Sequence, residues 1–145
     1  MTHDENNKDQ VILSQRETIQ LLKARVEEPL IVIIAGPRTM NDPRPLVDAV
    51  RASGWKDKII GVISGGCPTG ADHYAELWCA LWAVPMKVFP ADWKAHGKAA
   101  GPIRNRQMAA EGDALIALWD GKSRGTANMI QEAKKRGLPV HIHQI

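Results

Sequence analysis

Three short apolar runs each break into a loop of glycines or an arginine just ahead of a helix-forming segment: Ile31-Val-Ile-Ile-Ala-Gly-Pro-Arg38, Gly61-Val-Ile-Ser-Gly-Gly-Cys-Pro-Thr-Gly-Ala-Asp72 and Leu115-Ile-Ala-Leu-Trp-Asp-Gly-Lys-Ser-Arg-Gly-Thr126. Strands that feed helices in this way constrain the fold, because adjacent parallel strands need a long crossover and a helix is the usual one. The same arrangement gathers unpaired backbone N–H groups and the positive end of a helix dipole at one place, which favours an anion there.

The alternation runs through the rest of the chain. Strands are expected at residues 30–35, 59–64, 86–89, 114–119 and 140–143, the first a near-continuous β-branched run suited to burial on both faces. Between them, Asn41-Asp-Pro-Arg-Pro45 supplies caps and early prolines for a helix ending near Gly54, and residues 71–83 form a helix that is apolar almost all round. That second helix belongs deep in the domain or at a subunit contact. A loop over residues 90–101 leads to a helix beginning at Pro102 and closing at Gly112, and a last helix runs from Thr126 to Arg136 before Gly137 and Pro139. Ahead of these, Ile12, Ile19, Leu22 and Val26 fall on one face of an extra N-terminal helix over residues 11–28, which Pro29 stops, and residues 1–10 read as a frayed tail. The prediction is an α/β fold, a Rossmann-like three-layer α/β/α sandwich with a mainly parallel five-stranded sheet, in one domain over residues 29–145.

With 145 residues, 44% of them hydrophobic, the chain suits a single core, and a net charge of +3 is too mild to demand a polyanion as partner. Cys67 and Cys79 lack paired metal-site spacing and read as reduced thiols of a cytosolic protein. No apolar stretch approaches the length of a membrane span, and the polar start resembles no signal peptide.

In open parallel sheets the ligand lies beyond the carboxyl ends of the strands, and all the candidate loops follow strands. Ser64, Gly65, Gly66 and Gly70 offer closely approaching amides. A glycine in a tight turn is more often structural than ligand-binding, but three such loops on one edge reverse that weighting. Thr69 and Asp72 stand at capping-box spacing, so Asp72 either closes the helix start or accepts a ribose hydroxyl. Asp120, Gly121, Ser123, Gly125 and Thr126 repeat the logic after the fourth strand, where Ser123 and Thr126 either bond phosphate or cap the helix.

Residues 89–108 carry Asp92, Trp93, Lys94, His96, Lys98, Arg104 and Arg106. A solvated face explains the lysines, whereas arginines in a first helical turn are unfavourable unless an anion is shared there. Arg38 is either a further guanidinium on that edge or a plain surface residue. Trp93 and Trp119 stand near strand ends, as base-stacking platforms or as core. Cys67 is a thiol among amides or an inert small residue. His141 and His143 alternate on one strand without a third ligand, so neither metal nor cofactor is expected, and no Walker lysine follows the glycines.

Four strings, Ser64-Gly-Gly-Cys-Pro-Thr-Gly-Ala-Asp72, Phe89-Pro-Ala-Asp-Trp93, Gly97-Lys-Ala-Ala-Gly-Pro-Ile-Arg-Asn-Arg-Gln-Met108 and Trp119-Asp-Gly-Lys-Ser-Arg-Gly-Thr-Ala127, resemble the YspA/YpsA-related branch of the SLOG superfamily. That superfamily is Rossmann-like and also holds the Lonely-guy phosphoribohydrolases and the DNA-processing protein DprA. The resemblance spans residues 30–145 and implies binding of a nucleotide or nucleotide-derived ligand, for sensing or for processing. By that likeness Gly36 and Arg38 match a Gly-x-Arg loop, and Gly65, Gly66, Gly70 and Asp72 match the glycine motif. Arg104, Asn105 and Met108 match an Arg-Asn-x-x-Met helix start, and Asp120, Gly121, Ser123, Gly125 and Thr126 match a loop that elsewhere reads Gly-Gly-x-Gly-Thr.

Lonely-guy enzymes place paired glutamates in Gly-Thr-Leu-Glu-Glu. Here Gly125-Thr126 is followed by Ala127-Asn128-Met129, and the nearest carboxylate is Glu132. N-glycosidic hydrolysis wants a carboxylate in reach of the leaving group, which here falls to Asp72, Asp92 or Asp120, with Arg104 retained for phosphate. The leading expectation is a small-molecule, nucleotide-derived ligand, its phosphate held by the glycine-loop amides and Arg104 with help from Ser123 and Thr126, its ribose by Asp72 or Asp92. A nucleotide N-glycosidase is the enzymatic alternative, with Asp92, Asp120 and Arg104 as catalytic candidates. Single-stranded nucleic acid binding ranks last, since no run of aromatics interleaves the basic residues. The apolar helix 71–83 and the N-terminal helix leave room for a homo-oligomer.

Overall fold

The computed structural model describes residues 28–145, together with the helical, exposed Gln15 and Glu17. The tail expected over residues 1–10 and, apart from those two positions and residue 28, the helix expected over residues 11–28 lie outside the described residues. Among the described residues five strands, β1 (Leu30–Ala35), β2 (Ile59–Ser64), β3 (Met86–Val88), β4 (Ala114–Trp119) and β5 (Val140–Gln144), form one sheet in the order β3-β2-β1-β4-β5. Every pairing is parallel. The α/β Rossmann-like architecture expected from the alternation is the one observed.

Helices α1 (Arg44–Ser53) and α2 (Gly70–Trp82) pack on one face of the sheet, where Leu46, Val50, Ala75 and Trp78 meet Val32, Ile34, Ile116 and Leu118. Helices α4 (Ala100–Glu111) and α5 (Arg124–Lys135) cover the other, with Met108, Met129 and Ile130 against Ile33, Ile63 and Leu115. The one-turn helix α3 (Trp93–His96) lies in the connection between β3 and α4. Successive strand residues point to opposite faces, so the unbroken apolar runs of β1 and β4 are what a doubly covered sheet requires. Ile33, Ile34, Leu115, Ile116 and Leu118 are fully buried, and each such side chain stabilises the fold by ~1.5–3 kcal/mol.

Several boundaries differ from the sequence reading. Strand β3 runs only to Val88: the Phe89 N–H still bonds the Ser64 carbonyl at 2.9 Å, the last ladder bond to β2, and Pro90, which has no N–H, follows it. Helix α4 begins at Ala100, so Pro102 lies inside its first turn, where a missing N–H costs nothing. Arg104 therefore stands in the second turn, beyond the reach of the first-turn dipole argument. The loop expected over residues 90–101 contains α3 and a 3-10 turn at Gly97–Ala99. Helix α5 starts two residues earlier than expected, at Arg124.

Helix α2 is not deep in the domain. Ala71, Ala75, Trp78 and Cys79 face the core, while Leu77, Leu81 and Trp82 are exposed, with the Lys56 ammonium 4.2 Å from the Trp82 ring centroid. Burial pushes the Cys79 thiol up to about 11. Among the described residues no helix is long and apolar enough to cross a membrane.

Candidate functional site

The sheet order reverses between β1 and β4, whose connections leave in opposite directions. Loops there diverge and open a cleft at the carboxyl ends of the strands. The cleft measures about 820 Å³ and takes residues from the ends of β1, β2 and β4, the segment after β3, and α4 and α5.

Close backbone approach builds its walls. A Cβ on Gly36 would lie 2.7 Å from Ala71 Cβ and 3.0 Å from Leu118 Cβ, so only glycine lets the start of α2 meet the end of β1. At Gly65 an added Cβ would stand 2.4 Å from Arg104 Nη1 and 3.2 Å from Asp72 Oδ2, which places both charged groups against the glycine loop. Gly125 differs, since a Cβ there would meet nothing within 4 Å and the space over the start of α5 stays open.

Arg104 is the most heavily bonded cation in the cleft. Its Nη1 donates to the carbonyls of Gly65 at 3.1 Å and Phe89 at 3.2 Å, and its Nε donates to Asn105 Oδ1 at 3.0 Å. Burial pulls the guanidinium below its usual value; Asp72 opposes that pull and Arg38 adds to it. The group remains a cation, and a desolvated cation gains from an anion placed beside it. Arg38, Lys98 and Arg124 also line the cleft, and the carboxylates there are Asp72 and Asp120. Arg38 Cζ lies 5.8 Å from the ring centroid of the half-exposed Trp93.

Asp72 does not form the capping box that its spacing with Thr69 allows. Thr69 makes no side-chain cap, and Asp72 Oδ2 accepts the Cys67 N–H at 3.0 Å. Burial pushes the Asp72 carboxyl above its ordinary value, against the pull of the Cys67 N–H, Arg104, the Ser64 hydroxyl and Arg38. The folded chain thus holds this proton to a higher pH than the unfolded chain. The stability linked to it is complete below the unfolded value near 3.8 and is lost as pH rises through the raised folded value. Asp72→Asn, which keeps an acceptor for Cys67, is expected to gain stability relative to the parent as pH climbs through that window. Urea denaturation of both proteins across acidic pH measures the difference, and a difference independent of pH would contradict the assignment.

At the far wall, Asp120 Oδ1 accepts the N–H groups of Lys122 at 2.8 Å and Ser123 at 2.7 Å, bonds that hold its carboxyl below the usual value. Ser123 Oγ and Thr126 Oγ1 are 3.2 Å apart, and Ser123, at the N-cap of α5, makes no side-chain capping bond. Asn105 is buried between α4 and α5, where its Nδ2 donates to the Gly125 carbonyl at 3.3 Å and to Asn128 Oδ1 at 2.9 Å.

Of the residues singled out from sequence, Gly36, Arg38, Gly65, Gly66, Asp72, Trp93, Arg104, Asn105, Asp120, Ser123, Gly125 and Thr126 line the cleft, as do Cys67 and Met108. Ser64 is fully buried with its hydroxyl accepting the Gly66 N–H at 3.1 Å, and Gly70 sits behind the cleft against the β1 loop. Asp92 caps α3 through the Ala95 N–H at 3.0 Å, and Gly121 takes a left-handed turn. These four hold the loops and lie outside the lining. Trp119 packs half-buried against the core and donates its indole N–H to the Ser123 carbonyl at 3.2 Å. Arg106 turns to Glu132 at 3.8 Å. His141 and His143 are ring neighbours at 6.3 Å, and among the described residues no cluster of three metal-ligating side chains occurs. Asn128 also lines the cleft, a position to which residue type alone assigns no part beyond standing where Lonely-guy enzymes carry a glutamate. Its position three residues after Gly125, on the same helical face, was the available signal.

A family model described as the YspA, cpYpsA-related SLOG family matches residues 30–96. The chain is also similar to the Gene 61 protein of Mycobacterium phage D29, 34% identical over 117 residues that cover 75% of this chain and 92% of that protein. No solved structure matches it at a significant level.

Proposed function

The chain belongs to the YspA, cpYpsA-related SLOG family, and from that premise we propose that its cleft binds a nucleotide or nucleotide-derived phosphorylated ligand. The observation that carries this reading is the meeting of the uncapped start of α5 and Arg104 in one cleft, lined among the described residues by four cations and two carboxylates. The glycine loop shapes that cleft and anchors Arg104 through the Gly65 carbonyl, its Gly66 and Cys67 N–H groups being taken by Ser64 and Asp72. The first N–H groups of α5 have no intrahelical partner and favour phosphate oxygen, as does Arg104 Nη2, which takes no protein partner among the described residues. Trp93, half exposed at the rim, offers a face to a base. Asp72 accepts a ribose hydroxyl, or donates to the ligand when protonated.

Thermal denaturation with ribonucleoside 5′-monophosphates, nucleoside diphosphates, nucleotide sugars and cyclic dinucleotides tests the reading. At least one is expected to stabilise the protein, by an amount that grows with concentration. Failure of every phosphorylated compound to do so would contradict it.

An N-glycosidase reading has one observation in its favour: Asp72 is a cleft carboxyl that burial pushes toward its protonated form, as a general acid needs. Asp92 caps α3 and Asp120 closes a turn, which leaves Asp72 as the residue whose replacement by asparagine would abolish release of free base.

A further inference from the structure

A one-way chain of hydrogen bonds sets the orientation of an amide in the cleft. Arg104 Nε can only donate, so the Asn105 atom that it meets at 3.0 Å must be the carbonyl oxygen Oδ1. Asn105 Nδ2 is then the donor end, in agreement with its second contact, the Gly125 carbonyl at 3.3 Å. Since Nδ2 donates, the Asn128 atom it meets at 2.9 Å must be the acceptor Oδ1. Asn128 is left with its Nδ2 and two N–H donors, which take no protein partner among the described residues, in a side chain that lines the cleft.

We propose that Asn128 is a specificity-determining residue that gives its side-chain N–H groups to an acceptor oxygen of the ligand's phosphoryl group at the start of α5. The inference rests on the reading of the cleft as a phosphorylated-ligand site and adds to it a role for a residue outside that assignment. Asn128 follows Gly125 by three residues and so shares its helical face, beside the open space that Gly125 leaves and the uncapped N–H groups of α5. Arg104 acts twice in this arrangement, once as a cation and once as the donor that fixes the polarity of both amides. A carboxylate at position 128 would accept from Asn105 equally well but turn a negative oxygen toward the phosphate.

Asn128→Asp is therefore a near-isosteric test that keeps the Asn105 bond and removes only the outward donors. The probes are inorganic pyrophosphate and the four ribonucleoside 5′-monophosphates, read by thermal shift and by titration at pH 7. Without probe, the variant is expected to melt within about 2 °C of the parent, because the internal bond survives. With probe, its affinity is expected to fall roughly 10- to 100-fold, the worth of a hydrogen bond to a charged group, and to recover in part as pH drops and the new carboxyl protonates. Equal affinity in variant and parent would overturn the proposal while leaving the site reading intact. A large loss of melting temperature without probe would also overturn it, by showing that the amide nitrogen serves the protein. A parent that no probe stabilises would overturn both the site reading and this inference.

Discussion

Arg104→Ala is expected to lose phosphorylated-ligand binding by at least about 100-fold, the consequence of removing one charged donor from a desolvated site. The loss has two sources. The guanidinium is itself the proposed phosphate contact, and its Nη1 draws the Gly65 loop and the Phe89 carbonyl together from two strand ends. Without it, both carbonyls and Asn105 Oδ1 need water, and the Asn105–Asn128 polarity is no longer enforced. Arg104→Lys separates the two contributions. A lysine keeps the charge but cannot hold the carbonyls and Asn105 at once, so partial binding is expected with weaker discrimination among ligands. Isothermal titration on all three proteins measures the series, and an alanine variant that binds as the parent does would contradict this role.

Gly70→Ala is expected to destabilise the fold by about 3 kcal/mol or more and to lower the melting temperature by roughly 10 °C. Gly70 has φ +70°, a conformation that L side chains rarely adopt. An added Cβ would also fall 2.3 Å from the Pro37 carbonyl oxygen and 2.6 Å from the Arg38 backbone. Those atoms are backbone and cannot rotate away, and the Pro37 carbonyl already accepts the Ala71 N–H at 3.1 Å. Gly54 supplies the control: it has φ +74°, but a Cβ there would meet nothing within 4 Å. Gly54→Ala should cost only the backbone strain, ~1 kcal/mol. The excess at Gly70 then measures how tightly α2 is pressed against the β1 loop that carries Arg38. Equal costs at the two positions, by urea denaturation, would contradict that picture.

The architecture was legible because parallel strands buried on both faces leave unbroken runs such as Leu30–Ala35 and Ala114–Trp119, bounded by prolines, glycines and helix-forming segments. Boundaries shifted by a residue or two where a proline stands near an element's end. Pro102 reads as a helix start but is accommodated within a first turn, and Phe89 reads as strand and keeps a last ladder bond to Ser64 while the strand itself ends at Val88, ahead of Pro90. Within the cleft, residue type marks the glycine loop, because glycines that permit close approach have few uses, whereas Arg104 stands in the second turn of α4 and reaches the cleft through its bonds to the Gly65 and Phe89 carbonyls, which the first-turn argument does not foresee. What residue type does not carry is orientation. Ser64, Gly70, Asp92 and Gly121 sit in the same loops as the lining residues, yet their groups are taken up by the loops themselves. Arg106 is two residues from Arg104 and faces Glu132, because neighbours on a helix project about 200° apart over two positions. Asn128 was hidden for the opposite reason, since its part depends on a polarity handed over through Asn105 from another helix.

Titration calorimetry comparing each 5′-monophosphate with its unphosphorylated nucleoside, on the parent protein and on Arg104→Ala, isolates the phosphate contribution. The cleft as described predicts that the parent binds at least one monophosphate far more tightly than its nucleoside, with that preference collapsing in the variant. Nucleoside and monophosphate binding equally well to the parent, or a phosphate preference unchanged in Arg104→Ala, would contradict an anion site built on this cleft.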